Sequence, residues 1–171
     1  SALSLAHRHG IIHRDLKPQN VMLARAEDGE QVAKLVDFGI AKTFDEGTQL
    51  TVAGFSPGTP QYMAPEQAEG RPVDARSDLY SLGALGYFLL TGQPVFEAQS
   101  IVDLCQKHVT EPPIPPSQRL GRAVSIELEA AILACLEKSR AKRPQTARDA
   151  TEASRPATSP ARALPRRRAP C

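Results

Sequence analysis

Five residue types that carry chemistry fall within eight positions: His13, Arg14, Asp15, Lys17 and Asn20 stand in the stretch HGIIHRDLKPQN. A further carboxylate, Asp37, follows a short apolar run. Transfer of a phosphoryl group from a nucleotide to an alcohol needs this kind of set. Its transition state is loose, so catalysis rests on positioning and charge neutralisation rather than on covalent help from the protein. A carboxylate must orient the attacking hydroxyl and take its proton, a cation must meet the moving phosphoryl group, and hard oxygen ligands must hold Mg²⁺ across the phosphates. Asp15, Lys17, Asn20 and Asp37 supply these types. Asp15 and Lys17, two apart in an extended loop, project to the same side.

The elements that must position them are legible around the loop. Residues 1 to 9 hold Leu3 and Leu5 among good helix formers and stop at Gly10, the pattern of a helix end. VMLA and VAKLVD are β-prone runs separated by EDGE, whose Asp28-Gly29 pair signals a hairpin turn. That hairpin folds Asp37 back beside Asn20 at the end of the loop. Residues 38 to 63 are rich in Gly, Thr, Ser and Pro without periodicity, a long irregular segment of the functional kind. Residues 76 to 90 are apolar nearly all round and predict a central buried helix. Ile101, Leu104, Cys105 and His108 mark a surface helix, EPPIPPS breaks the chain, and Ser125 caps a helix striped by Leu128, Ala131, Ile132, Cys135 and Leu136. Thr146 to Asp149 form a capping box for one last short helix. His7, His9 and His108 read as solvated helix residues, and His13 and Phe38 as packing residues.

Composition bounds the rest. At 171 residues and 41% apolar content, the chain can bury one core, expected over 1–150, followed by a disordered Pro/Arg-rich tail over 151–171. Residues 1–150 carry 16 Lys and Arg against 18 Asp and Glu, whereas 151–171 carry five against one, so a weakly acidic body precedes a basic tail. Only three of the tail's arginines are contiguous, and no nucleic-acid partner is expected. Cys105, Cys135 and Cys171 are odd in number and lack C-x-x-C spacing, which argues against a disulfide framework or a zinc site and for a reducing, cytoplasmic setting. The most apolar stretch, Leu79 to Leu90, is too short for a bilayer that needs about 20 residues.

HRDLKPQN, DFG at Asp37 to Gly39 and APE at Ala64 to Glu66 resemble the catalytic loop, metal motif and activation-segment end of protein kinases. The neighbouring GTPQYMAPEQ and DARSDLYSLG resemble the bacterial branch of the serine/threonine kinases. The resemblance implies ATP with Mg²⁺ or Mn²⁺ as cofactors, and a protein partner bearing Ser or Thr. It assigns Asp15 as catalytic base, Lys17 to the γ-phosphate, Asn20 and Asp37 to the metal, and Met22 to a place under the adenine ring. Thr59 would hydrogen-bond Asp15 and Lys17, Glu66 would pair with Arg143, and Asp78 would hold the backbone around His13 and Arg14. Without that match, Glu66 and Arg143 read as an ordinary surface pair. Arg14 beside the base is a ready partner for a phosphorylated residue of the irregular segment, with Thr48, Thr51 and Ser56 as candidates.

The resemblance covers about residues 1 to 150 and only the larger, C-terminal lobe of a kinase. No G-x-G-x-x-G and no V-A-I-K lysine stand ahead of the loop, and the chain opens at Ser1 without Met. The expectation is therefore a mainly α fold (α+β), a C-lobe around a buried central helix with a β-hairpin at the catalytic edge and the N-lobe absent. Such a chain would be a fragment with negligible activity on its own, whose full-length parent could be membrane-anchored. The competing reading is a non-catalytic remnant that acts as a binding or regulatory module.

Overall fold

A computed structural model describes residues 2–26, 29–38 and 60–156. Helix α1 (Ala2–Arg8) leads into the loop, and Gly10 ends it in the left-handed region at φ 72°. There the Ile11 N–H bonds the Ala6 carbonyl and the Gly10 N–H that of His7, each at 3.0 Å, closing the helix end as a Schellman motif. The loop tightens into a 3-10 turn at Pro18–Asn20, with Pro18 occupying a position whose N–H would have no partner. Strands β1 (Val21–Arg25) and β2 (Gln31–Leu35) then pair antiparallel, Val21 opposite Leu35 and Leu23 opposite Ala33.

The remaining elements are helices. Helix α2 (Pro65–Ala68) is short and precedes α3 (Ala75–Thr91), α4 (Ile101–Thr110), α5 (Pro116–Leu120), α6 (Ile126–Cys135) and α7 (Ala147–Ala153). α3 is the axis: Leu79, Tyr80, Ala84 and Tyr87 are wholly buried, and α5, α6 and the 3-10 turn at Pro60–Tyr62 pack on it. Asp74 caps α3 by accepting from the Arg76 N–H at 2.8 Å. Arg76, by a side-chain hydrogen bond, and then the nearby Arg140 charge hold the Asp74 carboxyl at a pKa of about 2 against partial burial. Ser125 caps α6 and Thr146 with Asp149 closes a capping box on α7, as their positions predict.

Four expectations need correction. The last helix runs to Ala153, three residues past the expected end of the folded region, because Thr151 and Ala150 continue its packed turn. A helical turn, α5, follows the proline run, since Pro116 sits at its first position where the missing N–H costs nothing. His108 is fully buried instead of solvated: its Nδ1 meets the Tyr80 hydroxyl at 2.9 Å, and its ring packs edge-on against Phe96. His7 is nearly buried as well, bonded to Asp78. The 157–171 segment and Cys171 lie outside the described residues.

Candidate active site

The loop residues converge. Lys17 Nζ lies 2.9 Å from Asp15 Oδ2, with the two side chains only 15% and 10% exposed. Asn20 Nδ2 donates to the Asp15 carbonyl at 2.8 Å and approaches Asp15 Oδ2 at 3.5 Å. Carboxylate, ammonium and amide therefore share one small volume. The Val36 N–H bonds the Asn20 carbonyl at 3.0 Å, which sets the residue before Asp37 against the end of the loop. Asp37 itself is exposed at φ 53°, and Arg14 adopts φ 64°. Two non-glycine residues in the left-handed region within one site are strain that the surroundings must hold.

Those surroundings are specific. Asp78, in the first turn of α3, receives the His13 N–H on Oδ2 and the Arg14 N–H on Oδ1, each at 2.8 Å. Its Oδ2 also accepts from His7 Nε2 of α1 at 2.8 Å, so one buried carboxylate ties α1 and α3 to the loop. His13 is fully buried, with Nε2 3.2 Å from the Val36 carbonyl and its ring 4.7 Å from that of Phe38. Packing residues thus join the loop to the chain on either side of Asp37.

Glu66 and Arg143 form a buried pair, at 1% and 0% exposure, and no surface pair. The guanidinium gives Nη1 to Oε1 at 2.8 Å and Nη2 to Oε2 at 2.9 Å, and donates further to the carbonyls of Arg76, Glu137 and Lys138. Every N–H of Arg143 is used. Burial opposes ionisation of Glu66, but the hydrogen bonds from Arg143 and from Ser77 Oγ at 2.6 Å outweigh it and hold the carboxyl below its ordinary value. This pair fixes α2 to the helical body.

Met22, on β1, is 58% exposed at the edge of the site. Thr48, Thr51, Ser56 and Thr59 lie outside the described residues. Two site residues escape the sequence reading. His7 carries no local sign of its partner, and Gln67 is adjacent to APE without being part of it. Gln67 Nε2 donates to the Arg14 carbonyl at 3.0 Å, and its Oε1 accepts from the Ala64 N–H at 3.0 Å.

The donor set suits a hard divalent cation. With Nδ2 of Asn20 spent on the Asp15 carbonyl, its Oδ1 is left to act as a ligand, and Asp37 adds an accessible carboxylate. Mg²⁺ bridged to nucleotide phosphates needs only one or two such protein ligands.

The protein kinase domain family matches residues 1–154. Serine/threonine-protein kinase pkn3 of Myxococcus xanthus is 49% identical over 151 residues, covering 86% of this chain and 28% of that protein. Serine/threonine-protein kinase PknB of Mycobacterium leprae is 47% identical over 146 residues, covering 85% of this chain and 23% of that protein. The chain thus spans about a quarter of the length of these relatives. With catalytic-loop, DFG and APE motifs in the order of their elements, this chain belongs to the protein kinase domain family, in its bacterial serine/threonine branch.

Proposed function

We propose that residues 1–154 form the catalytic lobe of a serine/threonine protein kinase, which transfers the γ-phosphoryl group of ATP to a Ser or Thr hydroxyl of a protein. The observation that carries this reading is the Asp15–Lys17–Asn20 cluster, a carboxylate and a cation 2.9 Å apart with an amide clamped to the same backbone. Asp15 accepts the acceptor hydroxyl's proton as its oxygen attacks the γ-phosphorus, the bond to the β,γ-bridging oxygen breaks, and ADP leaves. Lys17 neutralises charge on the transferred group. Asn20 Oδ1 and the Asp37 carboxylate would hold a divalent cation, whose charge would neutralise the nucleotide phosphates. Met22 offers an apolar surface to the base of the nucleotide. Arg14, a cation beside Asp15, would pair with a phosphorylated Thr48, Thr51 or Ser56.

Turnover by this chain alone is negligible on this reading. Its 171 residues contain no glycine-rich phosphate cover and no clamp lysine ahead of the loop. Loss of even one preorganised donor costs about 10²–10³ in rate. The cytoplasm, where ATP and free thiols coexist, is the proposed setting. The test is Mg²⁺-dependent transfer from labelled ATP to a Ser/Thr protein substrate, with this lobe joined to a kinase N-lobe. Asp15→Asn is expected to lower kcat at least a hundredfold while the nucleotide still binds. Equal turnover in the variant would overturn Asp15 as base, and absence of Mg²⁺·ATP binding in the folded protein would favour the regulatory-module reading.

A further inference from the structure

We infer that Gln67 is a positioning residue that makes the placement of Asp15 depend on the seating of α2. The peptide groups flanking Arg14 are gripped from two elements: Asp78 of α3 holds the Arg14 N–H at 2.8 Å, and Gln67 of α2 holds the Arg14 carbonyl at 3.0 Å. That carbonyl belongs to the peptide that leads into Asp15, and Arg14 sits at φ 64°, a conformation held from outside rather than preferred. Beyond the Asp15 N–H, 3.4 Å from His13 Nδ1, the next clamp is Asn20 on the Asp15 carbonyl.

α2 is itself an anchored lever. Glu66 locks it to Arg143 in the buried interior, and the adjacent Gln67 turns toward the loop. Gln67 also braces its own helix, since Oε1 takes the Ala64 N–H while Nε2 reaches Arg14. The amide thus divides two duties between its two atoms: the oxygen caps α2 and the nitrogen orients the loop. Any displacement of α2, which directly follows the 38–63 segment, is passed to the carbonyl that sets Asp15.

Gln67→Glu separates the duties. A carboxylate keeps the acceptor for Ala64 but has no N–H for Arg14, and it sets negative charge against a carbonyl oxygen. The decisive measurement is hydrogen exchange of peptides spanning residues 11–17 in this chain, alongside its thermal unfolding. Gln67→Glu is expected to speed exchange there about tenfold or more while the melting midpoint stays within a few degrees of wild type, and Gln67→Ala is expected to match it in exchange but melt lower. Unchanged exchange in both variants would overturn the inference. The kinetic readout rests on the kinase reading: in the lobe joined to an N-lobe, Gln67→Glu lowers kcat about 10- to 100-fold with KM for ATP unchanged. A merely structural role leaves kcat of Gln67→Glu at the wild-type value. Because exchange needs no turnover, failure of the kinase reading and failure of the Gln67 inference give different results.

Discussion

At the scale of single residues, buried polar groups decide stability. Arg143 and Glu66 are both out of water, and each is the other's compensation. Replacing one partner strands the other's charge in the interior, which typically costs about 3–5 kcal/mol. Arg143→Met is accordingly expected to lower the urea midpoint steeply, and an unchanged midpoint would show that Glu66 finds another partner. His108 makes a second prediction, through pH. Burial first, and then the Lys138 ammonium, push its pKa down to about 3. The unfolded chain binds a proton below about pH 6.5 that the folded protein refuses until about pH 3. Stability is therefore full above pH 6.5 and falls as pH drops through that window. By pH 5 the loss reaches about 2 kcal/mol, at roughly 1.4 kcal/mol per unit. His108→Gln, read as the difference between pH 7.5 and pH 5 in urea melts, is expected to remove that part of the slope even if its stability at pH 7.5 is lower.

At the scale of elements, the contact between α3 and α6 sets how close two helices come. A Cβ on Gly83 would lie 2.6 Å from Cys135 Cβ and 3.2 Å from the Ile132 carbonyl oxygen, so neither helix can yield without moving apart. A Cβ on Gly86 would meet Ile132 Cγ1 at an ordinary 3.4 Å. Ala is favoured over Gly within a helix by about 1 kcal/mol, whereas overpacking costs about 1–3 kcal/mol. Gly83→Ala is expected to destabilise and Gly86→Ala to stabilise slightly in parallel chemical denaturation, and a stabilised Gly83→Ala would contradict the close packing. The sequence shows such elements where the signal is local. Gly10, Ser125 and the Thr146 to Asp149 box mark helix ends because capping uses neighbouring backbone, and the polar cluster is legible because Asp15, Lys17 and Asn20 lie within one loop. What stayed hidden depends on distant partners. His108 falls on the buried stripe with Leu104, but its polarity points to water until Tyr80, 28 residues away, supplies its bond. Gln67 reaches Arg14 across 53 residues, and His7 reaches Asp78 across 71.

At the scale of the whole molecule, the core and the site lie on the helical side, and the hairpin stands out from it. Val21 and Leu35 pack against the core, and the Phe38 ring lies tilted against that of His13, so these three side chains add little to the bare surface. Leu23 is 72% exposed, and Met22 and Val32 are also exposed, one or more on each side of the ribbon. A two-stranded ribbon is marginal without a covering layer, and clustered exposed apolar side chains mark a surface that associates. The net charge of +2 offers little repulsion between copies. The isolated chain is therefore expected to self-associate with rising concentration, through the hairpin rather than through singly exposed residues such as Ile126 on α6. Leu23 pairs across the ribbon with Ala33, so a lysine there meets no opposing charge in its own register. In sedimentation velocity over a tenfold concentration range, Leu23→Lys is expected to hold the chain as a monomer and Ile126→Lys to leave association unchanged. Equal suppression by both would mean that association is driven by charge alone, and the hairpin edge beside Asn20 and Asp37 would then be an ordinary solvent-facing surface.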